Sequence, residues 1–157
     1  MRIATVLTGA LAAGLLFSSG ACVQKVEVRP MSSGSAVAPG LVLEQFLRAA
    51  NAAAANDTAG IVVMGRLLGN KEGPVSQQWP RQEVQQRMFL TASILKHDDY
   101  KILGEQIVPG RLHEARQINV EMAMGPRRVT VPFTMVRSKA DNWLIESVAL
   151  ENVTGKR

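Results

Sequence analysis

Apolar residues recur at helical spacing as far as Leu95, and from Tyr100 onward they fall at every second position. A helix buries one stripe per 3.6 residues, whereas a half-buried strand alternates between its two faces. The switch therefore fixes the order of elements, helices first and strands after. That order means an α+β fold, with helices covering one face of an antiparallel sheet.

The helical part begins after Pro39-Gly40. Leu43, Phe46, Leu47 and Ala50 fall on one side, with Ala53 and Ala54 extending the stripe, and Glu44 and Arg48 form an i,i+4 pair on the wet side. Asn56-Asp57 ends this helix, and Asp57 suits the N-cap of the next. Ile61, Met64, Leu67 and Leu68 give the second helix its apolar face, and Gly69 stops it. Gly69 to Trp79 reads as a polar loop with room for a short strand. The third helix starts near Pro80, carries Val84, Met88, Thr91 and Leu95, and ends around His97-Asp98-Asp99.

Four strands follow. Tyr100 to Val108 is the first, closed by Pro109-Gly110. In the second, Ile118, Val120, Met122 and Met124 alternate with Gln117, Asn119, Glu121 and Ala123. Gly125 to Arg128 turns the chain into the third, where Val129, Val131, Phe133 and Met135 share a face. Pro132 in that strand has no N–H to give a ladder, which predicts an edge or a bulge there. Trp143 to Val153 reads as the last strand. The expected core is Phe46, Leu47, Met88, Leu95, Val120, Val131, Phe133 and Ile145.

The N-terminus reads as an export signal. Arg2 supplies a positive n-region, Ile3 to Phe17 is a run of roughly 15 apolar or small residues, and Ser18 to Ala21 are small. The run falls short of the roughly 18 to 20 residues that span a bilayer, so it reads as a cleaved segment. Cys22 follows at once and is the only cysteine in the chain. An unpaired thiol is a liability under oxidising conditions unless it is capped, so a lone cysteine at the cleavage site points to acylation. Ser19-Gly20-Ala21-Cys22 resembles the lipobox of bacterial lipoproteins, with Ser19 in place of the usual branched aliphatic. The resemblance implies an anchor in the cell envelope, and Val23, in place of the Asp that retains lipoproteins at the inner membrane, points to the outer membrane facing the periplasm. Cleavage after Ala21 by ordinary signal peptidase, giving a soluble periplasmic or secreted protein, is the alternative. Residues 1–21 are then the signal, 22–40 a Ser-, Gly- and Pro-rich tether, and 41–157 the domain.

Roughly 135 residues remain after cleavage, enough for one domain with its own core. With one cysteine there is no internal disulfide, so packing alone holds the fold. Eighteen Lys and Arg against 13 Asp and Glu leave a net charge of +5. Export removes nucleic acid as a partner, and the basic residues are scattered, Arg127-Arg128 being the only adjacent pair of arginines, so they read as a solvated surface near anionic envelope polymers.

The element order, together with LVLEQFLRAANAAAANDTAGIV, RMFLTASILKHDDYKI and VTVPFTMVRSKADNWLIESVAL, resembles the nuclear transport factor 2-like superfamily from about Leu41 to Thr154. The resemblance implies an α+β cone, three N-terminal helices on a bent four-stranded antiparallel sheet, and pairing of two copies through the sheet. It does not choose a function, because that superfamily hosts isomerases, dehydratases, hydrolases, adaptors and lipoproteins.

His97-Asp98-Asp99-Tyr100 is the densest polar cluster, and the residue types suit an acid/base pair or part of a metal site. They suit a helix C-terminus and its turn better, and His113 is the only other imidazole. Met64, Met88, Met122, Met124 and Met135 fall at core positions, where thioethers fill gaps. Ketosteroid isomerase-like members place acids inside the cone, whereas the inward stripe here is Ile, Val, Met and Phe. The expectation is therefore no catalytic residue, no cofactor and no metal. A small apolar ligand or an envelope protein is the expected partner, and Trp79, Tyr100 and His97 are the expected pocket-rim residues. Trp143 and Arg127-Arg128 read as packing and as a hairpin tip. The alternative is an isomerase- or dehydratase-type enzyme with its pocket in the cone.

Overall fold

The computed structural model describes residues 37–155. The signal, Cys22 and nearly all of the tether lie outside the described residues. Five helices and six strands follow in the order α1 (Pro39–Ala54), α2 (Thr58–Leu67), β1 (Gly69–Asn70), β2 (Gly73–Pro74), α3 (Val75–Gln78), α4 (Arg81–Leu95), β3 (Asp99–Ile107), β4 (Ala115–Met124), β5 (Arg127–Arg137), β6 (Trp143–Val148) and α5 (Glu151–Thr154). The fold is α+β, with β3 to β6 forming one antiparallel sheet in sequence order.

Local chemistry sets most helix ends. Pro39 opens α1, two residues earlier than the sequence boundary, because its fixed φ suits the first helical position and its missing N–H is not needed there. At the other end Asn56 adopts φ 68°, and Asn56 and Asp57 donate to the carbonyls of Ala53 and Ala52. This left-handed stop satisfies carbonyls that the helix leaves open. Asp57 then caps α2, its side chain accepting from the Ala59 N–H at 2.9 Å.

The sheet has the expected face. Ile118, Val120, Met122, Val131, Phe133, Met135 and Ile145 are buried, and they join Leu43, Phe46, Leu47, Met64, Met88 and Leu95 in one continuous core. Phe46 meets Phe133 edge to face at 6.5 Å. The far face of the sheet carries Gln117, Asn119, Glu121, Thr130 and Thr134, none of them buried.

Pro132 sits in an inner strand, yet at a local edge. Its carbonyl accepts from Ala149 rather than from a β6 residue, and the β5–β6 register ends at Phe133↔Val148. A residue's N–H and C=O point to the same side of a strand, so the missing donor faces where β6 has already ended. Two irregularities, at Ile102/Gly104 and at Thr134/Met135, each leave one residue unpaired, Leu103 and Glu146 respectively.

Three further features depart from the sequence reading. The last strand ends at Val148, not Val153. The Leu150 N–H folds back to the Val148 carbonyl, and Glu151–Thr154 forms a short helix whose Asn152 side chain donates to the Thr130 carbonyl at 3.2 Å. The segment from Gly69 to Trp79 is a two-stranded hairpin followed by the four-residue α3. Gly69 is not merely a helix stop. A Cβ there would lie 2.3 Å from the Gly73 carbonyl oxygen and 2.8 Å from Leu144 Cδ1, so only glycine lets the hairpin close against β6.

Candidate functional site

His97 is 7% exposed, and one of its ring nitrogens is already engaged. Its Nδ1 lies 2.8 Å from the Leu95 carbonyl oxygen, and its ring stands edge-on to Tyr100 at 5.5 Å. Its backbone is held by Asn51 of α1, which accepts the His97 N–H at 3.1 Å and donates to the His97 carbonyl at 3.0 Å. Asp98 accepts the Gly125 N–H at 2.7 Å, and its own N–H donates to the Ala123 carbonyl. The cluster thus ties the α4–β3 junction to α1 and to the β4–β5 turn. Trp79 is half-buried against the core, and one face of its ring is covered by the Arg87 guanidinium at 4.6 Å. Glu83 holds that guanidinium in place at 2.7 Å. Trp143 is likewise overlaid by Arg116, at 5.8 Å.

The inner stripe of the sheet is filled by its own side chains. Val120, Met122, Val131 and Phe133 are each 0% exposed, and none of them lines any of the three cavities described below. His97, Tyr100 and Trp79 line none of the three either.

The open space lies outside the helices. A cleft of ≈ 310 Å³ is enclosed by Val42 and Gln45 of α1, the end of α2, the β1–β2 hairpin and the β5–β6 turn with Trp143. A second of ≈ 670 Å³ runs between α2, α3 and α4 over Ile61, Val62 and Val84. The two share Arg66, Pro74 and Gln77, so they form one groove, with Arg66 where they join and Arg81 lining the larger of the two. A shallower hollow of ≈ 500 Å³ lies between α1 and α2.

The sequence builds this groove through close helix packing. Gly65 lets α2 approach α4, since a Cβ there would meet Val84 Cγ1 at 2.7 Å. Arg66, the next residue, therefore emerges at the groove. The hairpin wall is fixed from both sides. Asn70 accepts the Glu72 N–H at 2.9 Å and donates to Gln78 at 3.1 Å, while Lys139 pairs with Glu72 at 2.6 Å and donates its N–H to the Lys71 carbonyl. Lys71 also pairs with Glu114, and this hydrogen bond holds the Glu114 carboxyl below its usual range. Arg111 clamps Glu146 through two bonds, at 2.7 and 3.1 Å, and the bonded carboxylate raises the guanidinium's pKa.

No group of three His, Cys, Asp or Glu among the described residues is placed to hold a metal ion. Among the described residues no helix is long and apolar enough to cross a membrane. Comparison with known protein families, characterised proteins and solved structures returned no match for this chain. The groove was not legible in sequence: Arg66, Gln77 and Arg81 share no motif, and what unites them is the Gly65–Val84 contact.

Proposed function

We propose that this chain is a non-catalytic lipoprotein of the bacterial cell envelope, held to the membrane through Cys22, whose domain serves as a binding or interaction module. In this reading the fold is the α+β cone of the nuclear transport factor 2-like superfamily. The two strand irregularities support it, because an unpaired residue bends and twists its strand. The observation that carries the functional reading is the filled interior. Phe46 and Phe133 meet edge to face inside the core between helices and sheet, and the open groove lies instead on the helical surface. Clefts of a few hundred Å³ with an apolar floor and a few polar groups are the usual form of a small-molecule site.

Two experiments test this. In the native host, Cys22→Ala should move the protein out of the detergent-extracted membrane fraction, and intact mass should show the wild-type chain starting at an acylated Cys22. An unmodified N-terminal cysteine, or a soluble chain cut after Ala21, overturns the anchor. The second is the double variant His97→Gln, Asp98→Asn. Asn at 98 keeps an oxygen for the Gly125 N–H, so folding and attachment should persist, together with whatever phenotype a deletion strain reveals. Loss of that phenotype in a folded, attached variant would replace the binding module with an isomerase- or dehydratase-type enzyme.

A further inference from the structure

Nine arginines fall among the described residues, and six of them form ion pairs there: Arg48, Arg87, Arg111, Arg116, Arg128 and Arg137. Arg66, Arg81 and Arg127 have no carboxylate partner among the described residues. Arg127 starts β5 at an exposed hairpin tip and lines none of the clefts. Arg66 and Arg81 instead line the same cleft.

That cleft has no acid among its lining residues, and Glu72, the single acid of the adjoining cleft, is already held by Lys139. Two guanidinium groups with no counter-charge give the groove a positive field, and each presents a planar fork suited to a carboxylate or a phosphate. Beside them much of the lining is apolar. Ile61 and Val84 form the floor, and Val62 is 44% exposed on the lip, an apolar surface that an occupant would cover. Gln77 and Gln85 supply neutral amides beside the cations.

We propose that the groove from Arg66 to Arg81 binds an amphipathic anion, with a carboxylate or phosphate-ester head on the two guanidinium groups and an apolar chain along Ile61, Val62 and Val84. The inference rests on the binding-module reading and narrows it to one chemical class. The volume of ≈ 670 Å³ suits a small molecule. The head chemistry is common to a fatty acid and to a phosphate-bearing lipid, and the test separates the two.

The full chain, in nanodiscs of zwitterionic phosphatidylcholine, would be titrated with octanoate, octyl phosphate and octanol. The readout is the arginine side-chain Nε–H resonances, which report site by site and not through partition of the probe into lipid. Arg66 and Arg81 should shift with either anion and stay still with octanol, while Arg127 serves as the internal control. The anion that binds more tightly identifies the source, fatty acid or phosphate lipid. Both arginines are on the surface, so Arg66→Gln and Arg81→Gln should fold normally and each weaken anion binding about tenfold, a loss expected for one charge-assisted contact. Equal binding of octanol, with both variants unaffected, overturns the anion site but leaves the binding module standing. No shift at Arg66 or Arg81, or an equal shift at Arg127, overturns the proposal. So does response only to an acidic helical peptide, which would make the groove a protein-docking site.

Discussion

Asn51 and His97 exchange two hydrogen bonds across 46 residues of sequence, the Asn51 amide pairing with the His97 backbone at 3.1 and 3.0 Å as a neighbouring strand would. The bonds form where α4 has ended and β3 has not begun, so no ladder or helix satisfies the His97 backbone. One side chain of α1 does so instead and sets the position of the helical layer against the sheet.

Asn51→Ala should therefore cost more than a surface substitution. It leaves a part-buried N–H and carbonyl without partners, and one such orphaned group costs about 1–3 kcal/mol. Urea denaturation of the variant is the measurement. A change below about 0.5 kcal/mol would mean that water replaces the amide at no loss.

Phe133→Ala probes the packing between the layers. Phe133 is fully buried and meets Phe46 edge to face, so truncation loses transfer energy and leaves a cavity, about 3–5 kcal/mol in all. A cost below about 1 kcal/mol in chemical denaturation would contradict the burial.

Phe133 also illustrates what was legible from sequence. Ile118, Val120 and Met122, and Val131, Phe133 and Met135, were readable as inward because alternation needs no knowledge of the partner strand. Val153 was misread because apolar residues continue past Val148 as Ala149 and Leu150, while the end of the strand is set by the Leu150 N–H turning back to Val148. The His97-Asp98 cluster was readable as a helix end, although its partners Asn51 and Gly125 were not. The groove was least legible of all. Arg66 and Arg81 look like ordinary solvated cations until α2 is laid against α4.

Acid should loosen the hairpin wall of the groove. The Lys71 hydrogen bond lowers the Glu114 pKa from its ordinary value of 4.5, with the charge of Lys71 adding to the effect. A carboxylate with a depressed folded pKa contributes stability that is full above its unfolded value and is lost as pH falls through the folded one. The wild-type chain should therefore lose more stability than Glu114→Gln as pH falls below about 4.5. The pair is exposed, so 1 M salt should shrink the difference. Parallel acid-unfolding curves for the two proteins would show that the ion pair contributes nothing.

Gly60 and Gly65 lie on one helix and should answer differently to the same substitution. A Cβ on Gly60 would sit 2.5 Å from the Ala49 carbonyl oxygen and 2.7 Å from the Ala53 nitrogen, both backbone atoms of α1. Neither can move without separating the helices, so Gly60→Ala should destabilise by about 1–3 kcal/mol despite the gain in helix propensity. At Gly65 the clash is with a single side-chain atom, Val84 Cγ1, and Val84 borders open groove into which it can shift. Gly65→Ala should accordingly remain within about 1 kcal/mol of wild type, with the propensity gain of roughly 1 kcal/mol offsetting the displaced methyl. Its cost should appear in the groove, where the shifted Val84 weakens an apolar chain seated on it. Thermal melts rank the two variants, and a Gly65→Ala chain as unstable as Gly60→Ala would mean that the groove floor is rigid.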